Sequence, residues 1–194
     1  MRANPISDRD LLKQYLQGNQ AAFSTLLSRH RERIFSSIYF LVRDQELAED
    51  IFQDTFIKII NKVREGKYRE EDKFLPWAVC IAHNLVIDYF RKEKQMPKLR
   101  DGEEYSVFDR MKCREKNAHE TMVEEQRHHT VRELIKQLPD EQREVLIMRI
   151  YGELSFKEIA QITGVSINTA LGRMRYALIH LRNIMEKKGV ASYI

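Results

Sequence analysis

Apolar residues recur at helical spacing along most of this chain, and the breaks between the runs divide it into helices. Leu11, Leu12, Tyr15 and Leu16 mark a short amphipathic helix from Asp8 to Gln17, stopped by Gly18. Asn19 can cap a second helix, whose stripe runs Phe23, Leu26, Leu27, Ile34, Phe35, Ile38, Leu41 and Val42. Asp44 can cap a third, Gln45 to about Arg64, with Leu47, Ala48, Ile51, Phe52, Thr55, Phe56, Ile59, Ile60 and Val63 inward. The opposite side of that helix presents Glu46, Glu49, Asp50, Gln53 and Asp54. A charged loop, Gly66 to Lys73, leads to a fourth helix from Trp77 to about Lys94, with Pro76 in its first turn. Trp77, Ala78, Ile81, Ala82, Leu85, Val86, Tyr89 and Phe90 are its expected buried side, and Asn84, Asp88 and Arg91 form one polar line.

From Gln95 to about His119 no apolar period is sustained, and Pro97 and Asp101-Gly102-Glu103-Glu104 break the chain. Beyond it, Val131, Leu134, Ile135 and Leu138 form a stripe ended by Pro139. Asp140 can cap the next helix, with Val145, Leu146 and Met148 inward. Then comes SFKEIAQITGVSINTALGRMRYALIHLR, Ser155 to Arg182. Ser155 and Glu158 make a capping box, Ile159, Ala160 and Ile162 a buried side, and Gly164 a turn with the positive φ that a helix end needs. Ser166 caps a second helix that carries Arg173, Arg175, Tyr176, His180 and Arg182. This is a helix-turn-helix pattern. An ordinary helical hairpin shares its spacing, but the basic second helix and its small polar first turn (Ser166, Asn168, Thr169) suit phosphate and base edges. The whole pattern predicts an all-α chain of two small helical domains on a flexible linker. Residues 1–95 form the first, 96–119 the linker, and 120–194 the second, which holds the helix-turn-helix.

Composition narrows the function. Glycine (7) and proline (4) are scarce in 194 residues, which agrees with helices throughout. The net charge of +4 mildly favours a polyanionic partner. No apolar window approaches a membrane span, and the N-terminus lacks the apolar core of a signal peptide, so no membrane insertion is expected. Cys80 and Cys113 lie in no CxxC motif, so reduced thiols in the cytoplasm are expected. The acidic side of the third helix lacks the Glu-x-x-His pairs of a bundle metal site, and His128 and His129, adjacent on a helix, point apart. No metal, cofactor or catalytic residue is therefore expected. The acidic side is either a solvated face or a dock for a basic partner. The basic end of the fourth helix, Arg91, Lys92 and Lys94, suits either the helix dipole or a phosphate-tracking groove for single-stranded DNA.

Three stretches in order resemble one family. LAEDIFQDTFIKII resembles the polymerase-docking segment, FLPWAVCIAHNLVIDYFRKEK the promoter-melting helix, and LPDEQREVLIMRIYGELSFKEIAQITGVSINTALGRMRYAL the C-terminal domain of extracytoplasmic-function sigma factors of the sigma-70 family. The resemblance spans nearly the whole length. It implies a transcription initiation factor, without catalytic activity, that binds core RNA polymerase, directs it to promoters and helps melt them. The positions it implies for docking are Asp50, Gln53 and Asp54. For downstream promoter DNA and its melted non-template strand they are Asn84, Asp88, Arg91, Lys92 and Lys94. For the upstream box they are Thr169, Leu171, Gly172, Arg175 and Tyr176, to which the polar first turn and basic side of the helix add Ser166, Asn168 and Arg173. Within this last set the chain departs from the family pattern: Leu171 stands where a basic residue is usual, and Gly172 where serine is. Family members are often held inactive by an anti-sigma protein, so one is expected as a partner.

Three rival readings share parts of this pattern. A helix-turn-helix regulator acting without replacing a sigma factor would need a dimer interface or ligand pocket, and no heptad seam is present. A helical enzyme has only scattered carboxylates and histidines in its favour. A polymerase-binding regulator that does not direct initiation would explain the acidic face but not the helix-turn-helix.

Overall fold

The structure, a computed structural model, describes residues 6–68, 73–95, 131 and 133–189. Four helices come first: α1 (Asp8–Leu16), α2 (Gln20–Val42), α3 (Gln45–Arg64) and α4 (Phe74–Gln95). A helical turn at 133–136 then precedes α5 (Asp140–Ile150), α6 (Phe156–Thr163) and α7 (Ile167–Lys187). No strand occurs among the described residues.

Local sequence explains where the first helices start. The Ser7 hydroxyl accepts from Asp10 N–H at 3.1 Å, the Asn19 side-chain oxygen Oδ1 from Ala21 and Ala22 N–H, and the Asp44 carboxylate from Leu47 N–H at 2.8 Å. Each satisfies donors that a helix start leaves open. α2, α3 and α4 pack on one another with α1 against α2, and Leu26, Ile34, Ile38, Ala48, Ile59, Phe74 and Ala78 are fully covered. α5 packs on α7, with α6 against both.

The two helical units also bury surface against each other. Phe40 of α2 sits among Ile135, Leu138, Leu146, Ile147 and Ala177, with its ring 5.3 Å from that of Tyr151. Around it Arg33 pairs with Glu153 and donates to the Ile150 carbonyl at 3.0 Å, while Arg43 meets Asp140 at 2.9 Å. His83 Nε2 lies 2.7 Å from Glu144 Oε1, and its ring is only 4% exposed. Gly152 lets the units close: a Cβ there would sit 2.7 Å from the Met148 carbonyl oxygen and 3.0 Å from Val79 Cγ1.

Several expectations change. Phe40, Val79 and His83 are buried although none lies on an expected stripe, because the second unit covers them. Tyr89 is 38% exposed instead of buried; it lies at the edge of its stripe, edge-on to Phe90. Val131 is exposed too, one turn ahead of the buried Leu134. α4 begins at Phe74, one turn early, so Pro76 lies within its first turn. Asp140 does not cap α5. Pro139 holds that position with no side-chain bond, and Asp140, the first helical residue, accepts from Arg43 and Arg143 instead. The expected linker 96–119, with Cys113, and the pair His128 and His129 lie outside the described residues.

Candidate nucleic-acid interface

Three local devices shape the helix-turn-helix, one at the start of α6, one in the turn and one at the start of α7. Ser155 and Glu158 form the complete capping box: the Ser155 hydroxyl accepts from Glu158 N–H at 3.3 Å, and Ser155 N–H donates to the Glu158 carboxylate at 2.8 Å. The Ser155 hydroxyl also donates to that carboxylate at 2.6 Å. This side-chain bond above all holds the Glu158 carboxyl below its ordinary pKa, with Lys73 a smaller cause. Gly164 follows with φ +69°, and Ser166 caps α7 by accepting from Thr169 N–H at 3.0 Å. Ala170 and Ala177 are fully covered, and such small side chains let α7 seat closely on its neighbours.

With that side seated, α7 turns its other side outward. Ser166, Asn168, Thr169, Leu171, Arg175 and Tyr176 are exposed, while Gly172 and Arg173 are half-buried. All eight positions expected to meet upstream DNA are therefore accessible on one helix. The hydroxyls of Ser166 and Thr169 lie 2.8 Å apart and serve the cap as well. His180, grouped with the arginines by sequence, instead turns its Nδ1 to Gln142 at 2.8 Å.

On α4, Asn84, Arg91, Lys92 and Lys94 are exposed and Asp88 is half-buried, 3.6 Å from Arg91. The misplaced Tyr89 adds an accessible aromatic ring beside this basic helix end, the pairing that single-stranded bases stack upon. The signal was present in the sequence as an aromatic among basic residues, but the apolar period pointed it inward. Cys80, one turn before Asn84, is partly buried, and burial pushes its thiol pKa up. A raised thiol is a weak nucleophile at neutral pH.

On α3, Glu46, Asp50, Gln53 and Asp54 lie exposed along one side. The structure adds Ile57, 58% exposed, one turn beyond Gln53 and Asp54 on the same side. An apolar residue on the polar side of an amphipathic helix was the signal that could have found it. No group of three or more metal-ligating side chains forms among the described residues, and no helix there is long and apolar enough to cross a membrane. The arrangement thus offers three accessible surfaces: acidic on α3, basic with an aromatic on α4, and mixed polar and basic on α7.

Residues 26–96 match the model of sigma-70 region 2, and residues 128–181 match that of sigma-70 region 4. The extracytoplasmic-function RNA polymerase sigma factor SigW of Bacillus subtilis is 27% identical over 167 residues, covering 84% of this chain and 88% of SigW. Among solved structures, CnrH, in complex with the cytosolic domain of CnrY, superposes with a TM-score of 0.61 at 21% identity, over 94% of this chain and 99% of CnrH. The sigma factor RpoE of Bartonella quintana, in complex with the anti-sigma factor NepR, gives 0.59 at 18% identity, over 84% of this chain and 96% of RpoE. The acidic α3 and basic α4 fall within the region 2 match, and the helix-turn-helix within the region 4 match. The chain belongs to the sigma-70 family and is a transcription initiation factor of the extracytoplasmic-function type.

Proposed function

We propose a division of labour along the chain. Residues 1–95 dock on core RNA polymerase and handle the downstream promoter box. Residues 120–194 read the upstream box, and 96–119 link the two. Docking uses Asp50, Gln53 and Asp54, with Ile57 as an apolar centre inside a charged rim, the usual anatomy of a protein interface. Asn84, Asp88, Arg91, Lys92 and Lys94 follow the downstream DNA and its melted non-template strand, with Tyr89 offering a face for an extruded base. Pulling a base from the stack costs a few kcal/mol, which stacking and phosphate contacts can offset. The observation that carries this reading is that every one of these side chains sits on the accessible side of its helix.

Binding strength supports dependence on polymerase. With His180 drawn inward, Arg173, Arg175 and Arg182 remain on α7, so about three phosphates are neutralised and the logarithmic salt slope is only about −3. The factor then works in the cytoplasm, where polymerase is, and binds promoter duplex weakly alone. Because RpoE was solved with an anti-sigma factor, we expect this chain to have a protein partner of that class.

Run-off transcription on genomic fragments, with purified core polymerase with and without this protein, tests the reading. New, defined start sites are expected. Asp50→Arg with Asp54→Arg should abolish core binding while leaving helicity intact. A chain that does not associate with core enzyme, or associates without changing where RNA begins, overturns the proposal. Specific, nanomolar promoter binding by the free protein would favour the regulator reading instead.

A further inference from the structure

Gly172 lies mid-helix on α7, where glycine costs roughly 0.8–1.0 kcal/mol relative to alanine. The fold does not require it there: a Cβ at Gly172 would meet nothing within 4 Å. The position is a bare patch of backbone. One turn away on the same side stand Asn168, Thr169, Arg175 and Tyr176, and Leu171 and Arg173 adjoin it in sequence to either side. Two of these are apolar or aromatic and outward: Leu171 is 44% exposed and Tyr176 58%. Asn168 and Arg175 are exposed too, and neither side chain makes a hydrogen bond or ion pair among the described residues.

The chemistry of the major groove supplies a partner for such a notch. Base edges there carry donors and acceptors, and the one apolar group among them is the C5-methyl of thymine. In a helix-turn-helix the reading is done by the N-terminal part of the second helix. Leu171 and Gly172 stand in its second turn, between polar residues that suit the hydrogen-bonding edges. Leu178, also exposed, lies two turns further on, about 10 Å along the axis and outside that part.

Resting on the upstream-box reading above, we infer that Leu171, Gly172 and Tyr176 form an apolar notch that selects a thymine by its methyl group. Gly172 lets the methyl approach the helix backbone, Leu171 covers one flank and Tyr176 the other. A basic side chain at 171 would address a phosphate or a guanine instead, so the notch gives this chain its own upstream-box preference.

The test uses holoenzyme assembled from core polymerase and the full chain, on a promoter found by run-off transcription. Each thymine of the upstream box is replaced singly by deoxyuridine, which removes only the methyl. One replacement is expected to weaken binding about fourfold, the worth of one buried methyl-sized group. Leu171→Ala should lose that thymine-over-uracil preference, and so should Gly172→Ala, whose Cβ fills the notch while raising the melting temperature of the free protein. Leu178→Ala should keep it. The inference is overturned by an upstream box in which no thymine shows the difference, or by a Leu171→Ala factor that retains it. It is also overturned if Leu171→Ala weakens core binding without DNA, which would place Leu171 against protein. In each case initiation from the same promoter would leave the sigma-factor reading standing, whereas loss of core binding by the unaltered chain would sink that reading itself.

Discussion

At the scale of single residues, the caps carry the most definite consequences. Ser155 holds the first helix of the motif through a reciprocal pair of bonds with Glu158. Ser155→Ala is expected to cost about 1 kcal/mol at neutral pH, the usual worth of an N-cap. Because the Glu158 carboxyl is held below its ordinary pKa, its contribution is complete above the unfolded value and fades as pH falls through the folded one. The gap between Ser155→Ala and the unaltered chain should therefore narrow on acidification, and Glu158→Gln should flatten that part of the pH profile. Urea denaturation at neutral and acidic pH measures both. The caps at Asn19, Asp44, Ser155 and Ser166 were legible in the sequence because each joins residues two or three apart, whereas Ser7, which caps α1 in the same way, was missed. Asp140 misled for a related reason: it has a good cap side chain, but Arg43, far along the chain, and Arg143 claim its carboxylate.

At the scale of elements, α3 and α7 were read almost whole, since one side of each is packed and the other accessible. α4 was read less well. Its Val79 and His83 face the second helical unit, which no periodicity within α4 can reveal, and its Tyr89 lies at the border of the stripe. Ile57 shows what helix phase adds to composition: it shares a side with Asp50, Gln53 and Asp54 yet is apolar. Ile57→Ser should leave folding stability within about 0.5 kcal/mol, as for most surface changes. It should nonetheless weaken core-polymerase binding by roughly tenfold or more if it anchors the dock. Fluorescence anisotropy with labelled protein and core enzyme, beside a denaturation curve, separates the two effects. Unchanged affinity would return Ile57 to the status of a solvated side chain.

At the scale of the whole molecule, the reading surfaces face outward while the two units share a buried seam, so the packing sets how far apart those surfaces stand. Magnitudes say what holds the seam. Arg33 with Glu153, Arg43 with Asp140, and Lys73 with Glu158 are exposed pairs, each worth about 0–1 kcal/mol. Phe40 is 1% exposed, and truncating such a residue to alanine costs about 3–5 kcal/mol. The apolar contact therefore outweighs each exposed pair, and the buried contact of His83 with Glu144 across the same seam adds to it. Phe40→Ala should part the units while Leu26, Ile34 and Ile38 keep α2 in its own bundle. The expected result is a larger radius of gyration in X-ray scattering with undiminished helical circular dichroism, whereas Arg43→Ala leaves the radius unchanged. Raising salt should not reproduce the Phe40→Ala effect, because screening acts on the exposed pairs and not on the ring. A radius that grows with salt in the unaltered chain, or stays fixed in Phe40→Ala, would show that charge rather than burial governs the spacing. If burial governs it, Phe40→Ala should also bind core polymerase more tightly, since the free chain no longer has to open before its units reach separate sites.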